Sequence, residues 1–179
     1  MKTYKMTIAG LERELPEFPI SDDVSIAAFI MFGDTEITVA AAAELLKKVP
    51  EFDMILTPEA KSIPLAYEMS RQSGKKYIVA RKGPKLYMAE PFSVEVKSIT
   101  TEKVQKLYLG QLEAEEMKGK RVLIVDDVIS TGASLQAVEA LVEKAGAIKA
   151  AACSVLAEGD AAKRHDIIFL EPLPLISNK

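Results

Sequence analysis

One short segment constrains the fold of this chain more than any other. Four apolar residues at 122–125 (Val-Leu-Ile-Val) end on two adjacent carboxylates, Asp126 and Asp127. Three of the four are β-branched, which favours a buried strand that delivers both carboxylates to its carboxyl end. A Ser-Thr-Gly sequence at 130–132 then opens a segment with helical periodicity, which predicts a helix over about 133–145. The inward side chains of that helix are predicted to be Leu135, Val138, Leu141, Val142 and Ala145.

Strand and helix patterns alternate along the rest of the chain. Short apolar runs predict four further strands, at 54–56, 77–80, 148–156 and 167–170. Apolar spacing also predicts one helix that ends before Pro50 and another that is capped by Ser62 and ends at Gly74. The inward side chains of the first are predicted to be Val39, Ala42, Ala43, Leu46 and Val49. Apolar strands separated by helices are typical of an α/β fold whose parallel sheet binds ligands at the carboxyl ends of its strands.

The composition is that of an ordinary single-domain protein, and it argues against several classes of function. The chain has 179 residues, of which 49% are hydrophobic and 27% charged. A net charge of -3 gives no chain-wide basic field for nucleic acid, and a single Cys and a single His provide neither a disulfide nor a zinc cluster. No apolar stretch approaches the roughly 20 residues of a membrane-spanning helix, and the first residues lack the apolar core of a secretory signal. We therefore expect a cytoplasmic protein with no nucleic-acid or membrane partner.

The loop after the two aspartates has the features of a phosphate-binding site. Free backbone N–H groups at a helix N-terminus, with the hydroxyls of Ser130, Thr131 and Ser134, can hold a phosphate, and Gly132 lets the backbone approach it closely. The aspartates would repel a phosphate, so we expect them to face sugar hydroxyls or Mg2+. The structural alternative is an ordinary strand-turn-helix with solvated aspartates. Each short motif alone would favour that alternative, but their combination at this spacing favours a phosphate-and-sugar site.

Other well-known phosphate and acidic motifs do not fit this segment. The Walker pattern GxxxxGK[ST] and the dinucleotide pattern GxGxxG are both absent from the sequence. A response-regulator receiver domain carries its acidic pair near the start of a domain of about 120 residues. Here the pair lies at positions 126 and 127 of 179, which excludes that domain.

The segment resembles the 5-phosphoribosyl 1-diphosphate (PRPP) binding motif of the type I phosphoribosyltransferases, in which an apolar strand is followed by two acidic residues and a Thr-Gly loop. Residues 57–62 (Thr-Pro-Glu-Ala-Lys-Ser) resemble the pyrophosphate loop of that family. Residues 77–86 are similar to the V-R-K-x-G-K-L segment of its adenine branch, and residues 30–35 (Ile-Met-Phe-Gly-Asp-Thr) resemble the F-R-D-I stretch of the same branch. The resemblance covers about residues 26–157 and is closest to the adenine/purine branch.

This resemblance implies a fold, a reaction and a cofactor. The fold would be a single domain, 1–179, with a five-stranded, mainly parallel sheet flanked by helices, a small hood over 1–36 and a mobile loop over 82–112. In the implied reaction of purine salvage, a nitrogen of a purine base displaces pyrophosphate from C1 of PRPP and gives a nucleoside monophosphate. Mg2+ is the implied cofactor, PRPP and the base are the implied substrates, and a homodimer is the implied assembly.

The resemblance also assigns roles to individual residues. PRPP contacts are implied for Glu59, Ala60, Lys61, Ser62, Arg81, Lys82, Lys85, Asp126, Asp127, Ser130, Thr131, Gly132, Ala133 and Ser134. Asp126 and Asp127 would contact the ribose hydroxyls, directly or through the metal, and Asp127, Lys61 and Arg81 are the implied catalytic residues. Contacts to the base are implied for Ile30, Met31 and Phe32. Fixed cations near the departing pyrophosphate would lower the barrier, because negative charge builds up there as the C1–O bond breaks.

Two departures from the family pattern leave the base and the activity open. The adenine branch carries Leu-Glu-Tyr-Gly in its mobile loop, whereas residues 107–110 read Leu-Tyr-Leu-Gly, with Tyr108 in place of the Glu. The Arg of F-R-D is replaced by Gly33. A purine is still favoured over a pyrimidine by the resemblance at 77–86. The alternative function is a non-catalytic PRPP-binding regulatory protein, which the missing Glu fits, whereas the retained cations at Lys61 and Arg81 favour an enzyme.

Overall fold

The apolar segment that ends on the two aspartates forms the central strand of the main sheet. The computed structural model describes residues 2–88, 90–97 and 104–178, without the side chains of Val96, Lys97 and Gln105. The strands are β1 (Thr3–Ile8), β2 (Leu11–Pro19), β3 (Val24–Ala27), β4 (Met54–Pro58), β5 (Tyr77–Ala80), β6 (Phe92–Lys97), β7 (Val104–Leu109), β8 (Arg121–Ile129), β9 (Ile148–Glu158), β10 (Ile168–Leu173) and β11 (Ile176–Ser177). The helices are α1 (Thr35–Lys48), α2 (Ile63–Ser73), α3 (Gln111–Met117) and α4 (Ala133–Lys144), with a 3-10 helix at Gly159–Lys163.

The main sheet has five strands in the order β10-β9-β8-β4-β5, and every neighbouring pair is parallel. The side chains of β8 alternate between the two faces of this sheet. Leu123 and Val125 pack with α1 and α2 on one face, while Val122 and Ile124 pack with α4 on the other. The predicted α/β class and the five-stranded parallel sheet are therefore confirmed.

The central strand is longer than the sequence pattern predicted. We expected it to end before the aspartates, but β8 continues through Asp126 and Asp127 to Ile129. The reason is the length of its neighbour β9, which offers backbone partners as far as the pairing of Ile129 with Ala157. Because consecutive strand residues point to opposite faces, Asp127 is buried while Asp126 is only partly covered.

The predicted inward face is confirmed for α4 and only in part for α1, where the predicted Leu46 and Val49 pack partly buried against the core. All five predicted residues of α4 are buried. In α1 the buried residues are instead Ile37, Thr38, Ala41, Ala42 and Leu45. Only Ala42 was among those predicted, and Val39 is 46% exposed. The core selects the large side chains of Ile37 and Leu45, because the alanines between them fit either face, and buried Thr38 is satisfied by donating to the Asp34 carbonyl.

The N-terminal residues form a second, antiparallel sheet with the order β1-β2-β3-β11. Its last strand comes from the far end of the sequence and pairs with β3. The sheet is tied to α1 by Arg13, whose guanidinium donates to both carboxylate oxygens of Asp34, at 2.7 and 3.0 Å, and to Glu36 at 2.8 Å. Asp34 is the N-cap of α1 and also accepts from the Ile37 N–H. A role of this sheet as a hood over a ligand stays a prediction.

The excursion between β5 and β8 contains an antiparallel pair of strands, β6 and β7. Leu107 and Leu109 of β7 are fully buried in the cluster that covers the α4 face of the main sheet. Residues 98–103 and Ala89 of the predicted mobile loop lie outside the described residues. The mobility of this loop stays a prediction. No helix in the described ranges is long and apolar enough to cross a membrane.

Candidate active site

The two aspartates lie at the carboxyl end of the central strand in different environments. Asp126 Oδ1 accepts a hydrogen bond of 2.9 Å from the Asp127 N–H. Asp127 is 3% exposed, and its Oδ2 atom has no hydrogen-bond partner within the described residues. Although Asp126 keeps some exposed surface, the surrounding protein removes most of the water from its carboxyl, and this desolvation, followed by the neighbouring Asp127 charge, raises the pKa of Asp126 well above the usual range. Such a pair is prepared for a ligand that offers hydroxyl donors or positive charge.

The loop that follows β8 leads into the N-terminus of α4, where Gly132 and Ala133 are buried. Gly132 occupies the N-cap with φ of +85°, a conformation that favours glycine. The first bond of the helix runs from the Gln136 N–H to the Gly132 carbonyl, so the preceding N–H groups have no helical acceptor. Ser130 and Thr131 are exposed and Ser134 is half-buried beside them. The structure therefore brings together the predicted hydroxyls and backbone donors of a phosphate site.

The loop after β4 is fixed against the central strand by buried hydroxyls. Thr57 Oγ1 donates to the Val125 carbonyl at 2.8 Å and lies 2.7 Å from the Ser62 hydroxyl. Ser62 stands at the start of α2, as predicted, but its hydroxyl also lies 3.0 Å from the Pro58 carbonyl and does not cap the helix. This arrangement places Lys61 Nζ 3.1 Å from Asp127 Oδ2, as an ion pair rather than a hydrogen bond.

The segment after β5 supplies further cations next to that loop. Arg81 Nε lies 3.3 Å from Glu59 Oε2, and the same oxygen accepts from the Lys82 N–H at 2.9 Å. The hydrogen bond from Lys82 lowers the pKa of Glu59, and the positive charges of Arg81 and Lys85 lower it further. The structure thus places the Arg81 side chain and the Lys82 N–H against Glu59, with the charge of Lys85 near enough to act on that carboxylate. Glu59 orients this segment through Arg81 and the Lys82 backbone.

Tyr108, which stands where the adenine branch carries its loop Glu, lies on β7 beside Arg81. The two residues exchange backbone hydrogen bonds of 2.9 and 2.8 Å. The Arg81 side chain also donates to the Tyr87 hydroxyl at 2.8 Å, while its buried Nε makes no hydrogen bond to the described residues. Arg81 is therefore oriented by Glu59 and Tyr87, with its Nε atom buried against Glu59.

The three residues implied to contact the base differ in how far they are buried. Met31 is 1% exposed and packs in the core, whereas Ile30 and Phe32 are each 55% exposed. Met31 also lines a groove of about 420 Å³ with Thr38, Tyr67 and other residues of α1 and α2. Contact of these three residues with a base stays a prediction.

One charged residue near the phosphate loop was not found from the sequence. Arg164 follows the 3-10 helix, and its Nη1 atom lies so close to Gly132 that a Cβ there would be 2.7 Å away. Arg164 also lines a cavity of about 410 Å³ with Ser130, Thr131 and Glu158. The residue sits in a charged turn with no periodic or motif signal, so only the folded chain reveals its position.

Known proteins match this chain over most of its length. A hypoxanthine/guanine phosphoribosyltransferase from Methanocella paludicola is 34% identical over 145 residues, which cover 81% of this chain and 70% of the relative. An adenine phosphoribosyltransferase from Thermotoga maritima is 30% identical over 146 residues, which cover 80% of this chain and 81% of the relative.

Solved structures and a family model agree with these relatives. The adenine phosphoribosyltransferase from Thermoanaerobacter pseudethanolicus superposes with a TM-score of 0.71 at 24% identity, covering 88% of this chain and 95% of that one. The model of the phosphoribosyl transferase domain matches residues 32–175. The structural likeness establishes the fold, and the domain match establishes the family. The chain belongs to the phosphoribosyltransferase family and has its type I fold.

Proposed function

We propose that the protein transfers the 5-phosphoribosyl group of PRPP to a ring nitrogen of a purine base. In this step the nitrogen forms a bond to C1, and the C1–O bond breaks with its electron pair leaving on pyrophosphate. The proton of the attacking nitrogen passes to solvent or to the released pyrophosphate. One observation carries the proposal: the acidic pair of β8, the N-terminus of α4 and Lys61 converge at one edge of the sheet.

The geometry supports a separate task for each part of the site. The backbone and hydroxyls of residues 130–134 would hold the 5-phosphate at the helix N-terminus. Asp126 and Asp127 would accept hydrogen bonds from the ribose hydroxyls, for which the Oδ2 atom of Asp127, ion-paired with Lys61 but without a hydrogen bond, is suited. Lys61 and Arg81 would meet the pyrophosphate, where fixed positive charge stabilises the leaving group.

The acidic pair also fits Mg2+. This ion prefers carboxylate, phosphate and water oxygens, and the pair offers a buried carboxylate oxygen without a hydrogen bond. Within the described ranges no group of three or more His, Cys, Asp or Glu side chains is placed to hold a metal. Two carboxylates with substrate oxygens are a usual set for this ion. When bound, Mg2+ would neutralise charge on the pyrophosphate and the aspartates.

The choice of purine is the finer part of the proposal. One relative at 34% identity is named for hypoxanthine and guanine, and one at 30% is named for adenine. Tyr108 in place of the loop Glu removes one feature of the adenine branch, so we keep both purine classes as candidate substrates. The relatives are named as enzymes, which does not support the alternative of a non-catalytic regulator. The homodimer and the cytoplasmic location rest on resemblance and composition alone.

The test is pyrophosphate release from Mg-PRPP by the full chain. Adenine, guanine, hypoxanthine, xanthine, uracil and orotate are offered separately, with a reaction lacking base as the blank. We expect turnover with at least one purine and the matching nucleotide by chromatography. Asp127→Asn should keep its circular dichroism spectrum and lose most turnover, while Asp22→Asn, at an exposed turn, should behave as wild type. PRPP binding without turnover of any base would favour the regulator, and no PRPP binding would overturn the site itself.

A further inference from the structure

The guanidinium of Arg164 is held against the phosphate loop by one carboxylate. Its Nε and Nη2 atoms donate to Oδ1 and Oδ2 of Asp166, at 2.8 and 2.6 Å. This paired geometry fixes the plane of the guanidinium. The remaining nitrogen, Nη1, makes no hydrogen bond to the described residues and lies against Gly132 at the start of α4. The side chain is therefore oriented before any ligand arrives, with a free donor edge at the loop.

The charges around Arg164 explain how it stays there. A cation beside the N-terminus of a helix is disfavoured, because the helix dipole is positive at that end. Asp166 offsets this cost, and its own pKa is lowered to about 2, chiefly by the hydrogen bond from Arg164. Glu139 of α4 adds a more distant negative charge. The positive end of the α4 dipole still repels the Arg164 guanidinium. An anion bound between them would be attracted both by the guanidinium and by the helix N-terminus.

The space next to the guanidinium is open to a ligand. The cavity of about 410 Å³ reaches from Ser130 and Thr131 to Arg164, and Glu158 and Asp160 line its other side. Those two carboxylates would repel an anion, so its position is restricted to the part of the cavity near Gly132. The buried Asp127 Oδ2 atom, which pairs with Lys61 and makes no hydrogen bond to the described residues, lies on β8, the strand that leads into Ser130 and Thr131.

We propose that Arg164 binds the 5-phosphate of the phosphoribosyl group, with Nη1 as donor and Asp166 as the positioning residue. The inference rests on the proposed function, because it assumes that the loop at 130–134 receives a 5-phosphate. Arg164 adds a charge-assisted hydrogen bond to a site otherwise made of backbone groups and hydroxyls. It acts on the phosphate of the sugar and not on the departing pyrophosphate.

Calorimetry with two separate ligands tests this assignment. We expect Arg164→Gln to weaken the binding of ribose 5-phosphate by roughly ten- to a hundredfold, the range of one charge-assisted hydrogen bond. Pyrophosphate, titrated in the presence of Mg2+, should bind as it does to the wild type. Lys75→Gln is the control, because it removes one positive charge from an exposed side chain that forms no ion pair with the described residues and lies outside this cavity. The control should leave both affinities unchanged.

The outcomes separate this inference from the proposed function. If wild-type protein binds neither ribose 5-phosphate nor PRPP, the proposed function fails. If wild type binds both and Arg164→Gln matches Lys75→Gln, the role of Arg164 is overturned while the function stands. Should Arg164→Gln fail to fold, Arg164→Lys takes its place, since Lys keeps the charge but not the two-pronged bond to Asp166. That variant should lose affinity for ribose 5-phosphate several-fold, and an unchanged affinity overturns the inference.

Discussion

The ammonium group of Lys61 lies 3.1 Å from the buried Oδ2 atom of Asp127. This ion pair joins the loop after β4 to the central strand and links two residues that belong to different parts of the proposed site. Lys61 is half-exposed and can move, whereas Asp127 is fixed in the β8 ladder. The lysine therefore balances the charge of the aspartate that is proposed to receive the ribose.

Replacing Lys61 should weaken the binding of pyrophosphate. Lys61→Gln removes the cation proposed to meet the leaving group, so we expect a loss of roughly ten- to a hundredfold in pyrophosphate affinity. The same change should lower kcat/KM for pyrophosphate release. Lys75→Gln is the control, because Lys75 is exposed and forms no ion pair in the described part of the chain. Pyrophosphate binding that is equal in both variants would remove Lys61 from the site.

The buried hydroxyl of Thr57 should contribute measurably to the free energy of unfolding, because two other buried groups depend on it for a hydrogen bond. Thr57→Val keeps the shape but leaves the Val125 carbonyl and the Ser62 hydroxyl without their buried partner. We expect a loss of about 1–3 kcal/mol in the free energy of unfolding, measured with urea. Thr7→Val, at an exposed position of β1, should change stability by less than about 0.5 kcal/mol. Equal values for the two variants would show that the buried hydroxyl network does not hold the loop.

The packing of β7 on α4 predicts that this strand is part of the folded core without ligand. Leu109 is fully buried, so Leu109→Ala should cost about 2–5 kcal/mol of unfolding free energy. Leu112→Ala, three residues on and 64% exposed, should cost less than about 0.5 kcal/mol. Urea unfolding of both variants measures the difference. A small effect at Leu109 would mean that β7 belongs to the mobile part of the predicted loop.

The pairing of Arg13 with Asp34 predicts a stability that depends on pH. Hydrogen bonds from the Arg13 guanidinium lower the pKa of the Asp34 carboxyl in the folded state. The stability gained from the ionised carboxylate is therefore complete above the unfolded pKa of about 4, and it is lost as the pH falls through the lower folded pKa. Arg13→Gln should destabilise the protein at pH 7, and the difference from wild type should shrink below about pH 4.

Thermal unfolding between pH 2 and 7 measures this dependence. Lys2→Gln is a control with the same change of charge, because Lys2 is exposed and its side chain forms no ion pair with the described residues. Its difference from wild type should stay small at every pH. A difference for Arg13→Gln that is constant over the whole range would show that the Asp34 carboxylate does not depend on the pair.

The sequence predicts the buried face of a helix where all the large apolar side chains fall on one side of it. Leu135, Val138 and Leu141 are large apolar residues on one side of α4, so their spacing identifies the buried face. In α1 the four alanines at 40–43 show no difference in size between the two sides of the helix. The face predicted to be buried was therefore placed around Val39, which is in fact exposed. The end of β8 was misjudged because the length of a strand depends on the backbone of its neighbour, which local patterns do not report.

The residues of the proposed site also divide into those that a local sequence pattern reveals and those that only the folded chain reveals. Residues 126–134 are contiguous, so one motif places them together, and the structure keeps them at one edge of the sheet. Contacts made by long side chains across the fold carry no periodic signal. Arg13 reaches Asp34 from another sheet, and Arg164 reaches Gly132 from the turn after β9. Such contacts depend on the final arrangement of the elements, which no single segment determines.

The pairing of β11 with β3 decides when the N-terminal sheet can be completed on the ribosome. Ser25 of β3 hydrogen-bonds to Asn178, 153 residues later in the sequence. Until that segment has emerged, the nascent chain holds β3 with one open edge, which can attract other strands. The sheet whose first three strands are synthesised earliest is therefore the last to be finished.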